Sequence, residues 1–407
     1  MTERRAVVVG ASLAGVRAVQ ALRSNGFEGA ISLIGAEAHL PYDRPPLSKE
    51  ILAGKWDEAM IELAPAEVLH GLELDLQLGR RAVGVDLAAR ELHLDAGEPL
   101  GFDELVVATG SAPRRLPSQP LMEGIHLLRT LDDARSLRAA LSEAPRVVVV
   151  GAGFIGSEVA ATARSQGLEV TVLEALPVPL ERALGPEIGP AVAALHVDHG
   201  VRLDVNAMVD RFEGTTRVEQ VVLADGTRID ADLVVVGVGT VPAVAWLEGS
   251  GVTLADGVVC DESCRALGPD GRPLVGVWAA GDVARWPNPL FGEVMRLEHW
   301  DNAAGQGAAV GKSIATGEAT PFGPVPFVWS EQYEAMIQVL GRPHPDDRVH
   351  VAIGSIEDRS FVALFERDGL LSAVIGMNDS RRTMRFKAIL RGRPSIEVAE
   401  AAAAALA

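Results

Sequence analysis

Cysteine is nearly absent: the 407 residues hold two, Cys260 and Cys264. Two thiols cannot knit a secreted disulfide scaffold. Basic charge is also in short supply, with 37 Lys and Arg against 55 Asp and Glu, a formal net charge of −18. A surface that acidic repels phosphate backbones and anionic lipid, which argues against nucleic-acid and membrane-surface binding. No apolar run approaches the ~18–20 residues of a membrane helix. Residues Met1 to Arg5 lead straight into an apolar strand at Ala6–Val9, leaving no room for a signal peptide, so the expected location is the cytoplasm. Low-complexity tracts are missing too, because the 42 Gly and 24 Pro are scattered as turn punctuation. What remains is an ordinary packed composition, 48% hydrophobic and 23% charged, at a length that suits two or three domains.

Two stretches read as a buried strand, a glycine turn and a helix. In the first, Ala6–Val9 runs into Gly10-Ala11-Ser12-Leu13-Ala14-Gly15 and a helical segment at Val16–Asn25, with a second strand at Ala30–Ile34. The other starts with Arg146–Val150, turns at Gly151-Ala152-Gly153-Phe154-Ile155-Gly156, is helical to about Gln166, and returns as a strand at Glu169–Leu173. Continuous Val, Ile and Leu runs bounded by glycine indicate strands buried on both faces, as in parallel sheets. A third apolar strand, Val275–Ala280, is followed at once by Gly281-Asp282. After Pro321-Phe322-Gly323-Pro324 the pattern changes to antiparallel strands at 335–341, 349–354, 361–366 and 370–376, a basic helix near 380–391, and an alanine-rich helix or frayed tail at Val398–Ala407. The expected class is α/β: two Rossmann-like dinucleotide-binding domains and a C-terminal α+β domain. The expected boundaries are 1–112 with 246–322, 113–245, and 323–407.

The turn Gly151-x-Gly153-x-x-Gly156 sits between strand and helix, and Glu174 ends the following strand. The first glycine permits the tight turn, the second lets a pyrophosphate approach the backbone, and the third seats the helix on the strand. An acid at Glu174 suits ribose hydroxyls and repels a 2′-phosphate, which favours NADH over NADPH. In the first turn Ser12 stands where a middle glycine is usual, and after the second strand Ala36 precedes the carboxylate of Glu37. Either Glu37 reaches a ribose or backbone near Ala36 does so. Asp282, just past a buried strand, could cap a helix; beside two dinucleotide turns it suits a ribityl hydroxyl of FAD.

Together these motifs place the chain close to a known group. It resembles the two-dinucleotide-binding flavoproteins, and within them the FAD-dependent NADH:ferredoxin reductases of bacterial oxygenase systems, the putidaredoxin reductase and biphenyl dioxygenase ferredoxin reductase family. The resemblance runs nearly end to end and is carried by Pro41–Lys49 (PYDRPPLSK), Ala108-Thr109-Gly110, Leu128–Leu131, Phe154–Glu158, Leu297-Glu298-His299-Trp300 and Trp329–Tyr333. It implies that Gly10, Leu13, Ala14 and Gly15 cover the FAD pyrophosphate, with Arg44 neutralising phosphate. It further implies that Val83 meets the adenine, Arg129 approaches from the linker, Asp282 after Gly281 holds the ribityl chain, and Trp300 borders the ring. Lys49 would lie near the reactive ring nitrogen and pair with Glu158, a positive charge fixed by a carboxylate from the other nucleotide domain. Trp329 would lie near the flavin or in the core of the third domain. On the NADH side stand Gly153, Phe154, Ile155 and Glu174, with Arg182 toward the adenosine and Val238-Gly239 toward the nicotinamide.

Relatives that reduce disulfides, peroxide or oxygen carry cysteine just after the second strand; residues 38–50 here contain none. Iron–sulfur and haem ligand spacings are missing as well. Electrons would therefore pass from NADH to FAD and leave to a separate 2Fe-2S ferredoxin serving a monooxygenase or a ring-hydroxylating dioxygenase. A basic run, Arg381, Arg382, Arg385, Lys387, Arg391 and Arg393, offers a docking patch for an acidic partner. The chain is expected to be a monomer or weak homodimer. Two other readings fit the motifs: reduction of a small acceptor such as a quinone, and an NADH-sensing flavoprotein with little flux.

Overall fold

Apolar β-branched runs dictate where the sheets form. The computed structural model describes residues 4–143 and 146–406; Met1 to Glu3 of the lead-in and Ala407 of the tail lie outside the described residues. The chain packs as two units. One comprises Met1–Asp43, Ala59–Ala112 and Val241–Pro326; the other comprises Arg44–Glu58, Pro113–Thr240 and Phe327–Ala407.

In the first unit the strand Arg5–Val9 lies between Ala30–Gly35 and Glu104–Val107, parallel to both, with Val9 opposite Ile34 and Val107. The six-stranded sheet runs Arg265–Leu267, Pro273–Ala279, Glu104–Val107, Arg5–Val9, Ala30–Gly35, Leu74–Leu78, and only the first of these is antiparallel to its neighbour. The helix that follows the first turn, Leu13–Ser24, packs on Trp300–Thr316. That approach needs glycine: a Cβ on Gly307 would stand 2.2 Å from the Ala14 carbonyl oxygen.

Two five-stranded sheets of the second unit frame the site, beside a small three-stranded one at Val209–Glu213, Gln220–Leu223 and Arg228–Asp230. The parallel one runs Arg202–Asp204, Val170–Leu173, Val147–Val150, Leu233–Val236, Ile125–His126, with Val150 opposite Leu173 and Val236. Its carboxyl ends deliver Gly151, Glu174 and Gly237 to one edge, where ligands bind in open α/β sheets. The antiparallel one runs Phe327–Gln332, Ala335–Gly341, Leu370–Met377, Ser360–Arg367, Arg348–Ser355. The helix Glu181–Asp198 buries Leu184, Ile188, Val192 and Leu195 among Ile337, Val339, Phe365 and Ile375 of that sheet. The basic helix is Ser380–Arg391, and the alanine-rich end is helical over Ile396–Ala404. Among the described residues no helix is long and apolar enough to cross a membrane.

Candidate active site

The first glycine turn admits no side chain at its tight points. Gly10 has φ +122°, and a Cβ there would lie 2.0 Å from the Ala108 carbonyl oxygen; a Cβ on Gly15 would meet Gly10 as closely. Ser12 is the N-cap of the helix Leu13–Ser24, yet its side chain makes no capping bond, so the Ser12 hydroxyl leaves the helix start uncovered. Leu13 and Ala14 are buried. Past the second strand, Ala36 is exposed and the Glu37 carboxylate accepts a 2.5 Å hydrogen bond from the Tyr42 hydroxyl. Asp282 follows Gly281 (φ +80°) and accepts from the Ser111 hydroxyl at 2.9 Å. Gln306 holds that turn by accepting the Gly281 N–H at 2.8 Å. Thr109 donates to the Ala243 carbonyl at 2.8 Å, and Gly110 has φ +69°. The Trp300 indole donates to Asp43 at 2.8 Å, and Glu298 accepts from Arg296 at 2.6 Å. Burial pushes the His299 imidazole down to about 4, against the pull of Asp282, Glu298 and Asp301. Its Nδ1 and the Oδ1 of Asn302 are buried with no partner among the described residues. Val83 lies half exposed on the strand Ala82–Asp86.

These features fit a dinucleotide with a ribityl chain. The uncapped helix start and the glycine turn suit a pyrophosphate, Glu37 and Asp282 offer acceptors for hydroxyls, and the buried unpartnered atoms of His299 and Asn302 suit a polar ring edge.

In the second unit, Gly151 has φ +98° and a Cβ on it would stand 2.4 Å from the Gly237 carbonyl oxygen. Gly156 is as tightly held, whereas Gly153, the N-cap of the helix Phe154–Ser165, faces open space. Glu174 is drawn into the turn: its carboxylate accepts Ala152 N–H at 2.6 Å and Leu176 N–H at 2.9 Å. Each oxygen retains a lone pair for a ribose hydroxyl. Val238 and Gly239 follow the strand that flanks this turn, and Gly239 (φ +98°) is open. Ile155 is exposed, and Arg182 is exposed at the second position of its helix.

Lys49 and Glu158 meet. The Lys49 ammonium lies 3.1 Å from Glu158 Oε2, and both side chains are largely buried. Glu158 also accepts from Ser48 at 2.5 Å and from Ser330 at 2.8 Å. Nearby in the same unit, Arg44 donates to the Arg129 carbonyl at 2.6 Å. Trp329 stacks on Phe327, with ring centroids 5.8 Å apart. Ser48 and Ser330 carry no sequence mark for this role, although they stand within Pro41–Lys49 and Trp329–Tyr333.

Both cysteines are buried and free, and burial raises both thiols well above their ordinary value. Neither is a ready nucleophile at neutral pH. Among the described residues no group of three or more His, Cys, Asp or Glu could hold a metal ion.

Two family patterns match end to end: pyridine nucleotide-disulphide oxidoreductase over residues 4–307, and reductase C-terminal over residues 327–407. The chain belongs to the pyridine nucleotide-disulphide oxidoreductase family. Within that family it is 38% identical over 377 residues to the biphenyl dioxygenase system ferredoxin–NAD(+) reductase component of Paraburkholderia xenovorans (strain LB400), covering 92% of this chain and 90% of that one. It is 36% identical over 386 residues to rhodocoxin reductase of Rhodococcus erythropolis, covering 94% and 88%. Among solved structures, the covalent putidaredoxin reductase–putidaredoxin complex superposes with a TM-score of 0.90 at 32% identity, over 96% of this chain and 93% of that one. The family takes its name from disulphide chemistry; both thiols of this chain are buried.

Proposed function

We propose that this protein is an NADH-dependent ferredoxin reductase, with FAD and NADH as its cofactors, that supplies a 2Fe-2S ferredoxin feeding a monooxygenase or a ring-hydroxylating dioxygenase. The observation that carries the reading is full-length similarity to ferredoxin reductases in a chain whose only thiols are buried and chemically quiet. Bound FAD takes two electrons together and releases them singly, which suits a two-electron donor and a one-electron acceptor. The chain's own residues bind and orient. Gly10, Leu13, Ala14 and Gly15 present helix N–H groups to the FAD pyrophosphate, Arg44 and Arg129 add positive charge and linker contact, and Val83 meets the adenine. Glu37, or backbone at Ala36, takes the ribose, and Asp282 after Gly281 takes the ribityl chain. Ala108, Thr109 and Gly110 form the adjoining wall, Glu298, His299 and Trp300 border the ring, and Trp329 stands near it. Gly151, Gly153, Phe154, Ile155, Gly156 and Glu174 bind NADH, Val238 and Gly239 accompany its nicotinamide, and Arg182 its adenosine. Lys49 provides the positive charge that favours electron uptake by the ring, and Glu158 fixes it.

The division into an FAD domain (1–112 and 246–322), an NADH domain (113–245) and a C-terminal α+β domain (323–407) is part of this proposal. So is a monomer or weak homodimer that binds neither nucleic acid nor membrane, a reading that the net charge of −18 supports. Free thiols suit a reducing compartment, so we place the protein in the cytoplasm.

Anaerobic stopped-flow absorbance tests the reading. The purified yellow protein is expected to bleach rapidly with NADH and slowly with NADPH, and then to pass electrons to cytochrome c only when ferredoxin is added. Equal turnover with a quinone and no ferredoxin would favour the small-acceptor reading; very slow bleaching would favour the sensor.

A further inference from the structure

Glu158 ends a buried line of hydrogen bonds that runs away from Lys49. Ser330 and Gln332 alternate onto the same face of the strand Phe327–Gln332, and both are fully buried. Ser330 donates to Glu158 Oε1 at 2.8 Å, Gln332 Nε2 donates to the Ser330 oxygen at 3.1 Å, and Gln332 Oε1 lies 3.0 Å from Nε2 of His196, which is 2% exposed. The polarity of the line is fixed from one end. A carboxylate only accepts, so the Ser330 hydrogen points to Glu158 and its oxygen takes the Gln332 N–H. The Gln332 carbonyl then faces His196, whose proton must sit on Nε2. The Tyr333 hydroxyl, 3.4 Å from His196 Nδ1, supplies a donor on the other side. Every donor therefore points toward the carboxylate, the arrangement in which successive bonds polarise one another.

A strained turn supports this line. Tyr333 opens the two-residue loop between Phe327–Gln332 and Ala335–Gly341 with φ +55°, a conformation that favours glycine or asparagine. There its ring stacks on His199, with centroids 3.7 Å apart, while its edge faces His196. Burial holds His196 neutral, with its value lowered to about 4; the Gln332 bond acts against that shift and His199 with it.

We propose that Ser330, Gln332 and His196 are positioning residues for Lys49: they fix one oxygen of Glu158, so that the other holds the ammonium in a single place. The proposal rests on the reading that Lys49 serves flavin reduction. It gives the C-terminal segment a part in the first half-reaction, besides any contact with ferredoxin.

The test compares Ser330→Ala, Ser330→Thr and Lys49→Met holoenzymes with the wild type. Ser330→Ala is expected to lower the limiting rate of NADH-driven bleaching about tenfold with NADH half-saturation little changed, the loss of one bond to a charged group. The midpoint potential of the bound flavin should move negative. Ser330→Thr, which keeps the hydroxyl, should restore both. A Ser330→Ala enzyme with wild-type rate and potential overturns the proposal, as does equal impairment in Ser330→Ala and Ser330→Thr. If Lys49→Met is silent, the role given to Lys49 fails first; if it is slow while Ser330→Ala is silent, only the positioning line fails. One further readout needs no variant. Long-range 1H–15N correlation of His196 in the wild-type holoenzyme should show a neutral ring protonated at Nε2, and a proton on Nδ1 overturns the proposal.

Discussion

At the scale of single residues, Glu174 holds a turn with its carboxylate and, in the function proposed above, would use the same group for a ligand. It closes the second glycine turn through Ala152 and Leu176, and it ends the strand Val170–Leu173 where an adenosine ribose would lie. Removing it should loosen the turn and remove a charge that repels a 2′-phosphate. Glu174→Ala is therefore expected to lower kcat/KM for NADH about tenfold and to shrink the NADH-to-NADPH preference by a similar factor, values typical of losing bonds to a charged acceptor. Ferricyanide reduction with both nucleotides measures this. An unchanged preference would mean that discrimination lies in other residues. Spacing from Gly151 made Glu174 legible in the sequence, because strand, turn and helix lengths are nearly fixed in such a unit. Ser48 and Ser330 were not legible in the same way. A serine has no sequence signature as a carboxylate partner, and its role here depends on residues more than a hundred positions away.

Among the elements, the strands with four or more buried apolar residues were readable, since a run such as Val147–Val150 has no other stable place than the middle of a sheet. The helix Glu181–Asp198 was not marked by the sequence. Gly185, Pro186, Gly189 and Pro190 interrupt its pattern, and it is stabilised by the antiparallel sheet that it covers rather than by propensity. That packing has a consequence for acid stability, because it encloses His196. The folded value of about 4 lies below the ordinary 6.5, so as pH falls the unfolded chain takes up a proton first. Stability is then unaffected above about pH 6.5 and falls between there and pH 4, by up to roughly 3 kcal/mol. Urea unfolding at pH 7 and pH 5 should show a lower midpoint at pH 5, with a smaller difference in His196→Gln. If the variant keeps the full wild-type difference, the acid sensitivity originates at other groups.

Taken as a whole, the molecule carries a net charge of −18, yet its proposed partner is of a class that is itself generally acidic. Encounter between two like-charged proteins is slow unless a local patch reverses the sign. The helix Ser380–Arg391 has such a patch, but fewer of its cations are available than the sequence suggested. Arg382 is committed to the chain's own end, donating to the Leu406 carbonyl at 2.8 Å and to Asp379 at 2.9 Å, and Lys387 lies over the Phe327 ring at 5.2 Å. Arg381 and Arg385 are exposed and four residues apart, on one stripe of the helix. Reversing Arg382 would confound docking with unfolding of the C-terminal end, whereas Arg381→Glu with Arg385→Glu changes charge on an open face. In the double variant the ferredoxin concentration for half-maximal cytochrome c reduction should rise about tenfold at low salt and converge toward the wild type as salt screens the patch. NADH-to-ferricyanide turnover, which needs no protein partner, should stay unchanged. A ferredoxin half-saturation equal to wild type at low salt would move the docking surface off this helix; a fall in ferricyanide turnover would show that the two arginines support the reductase itself.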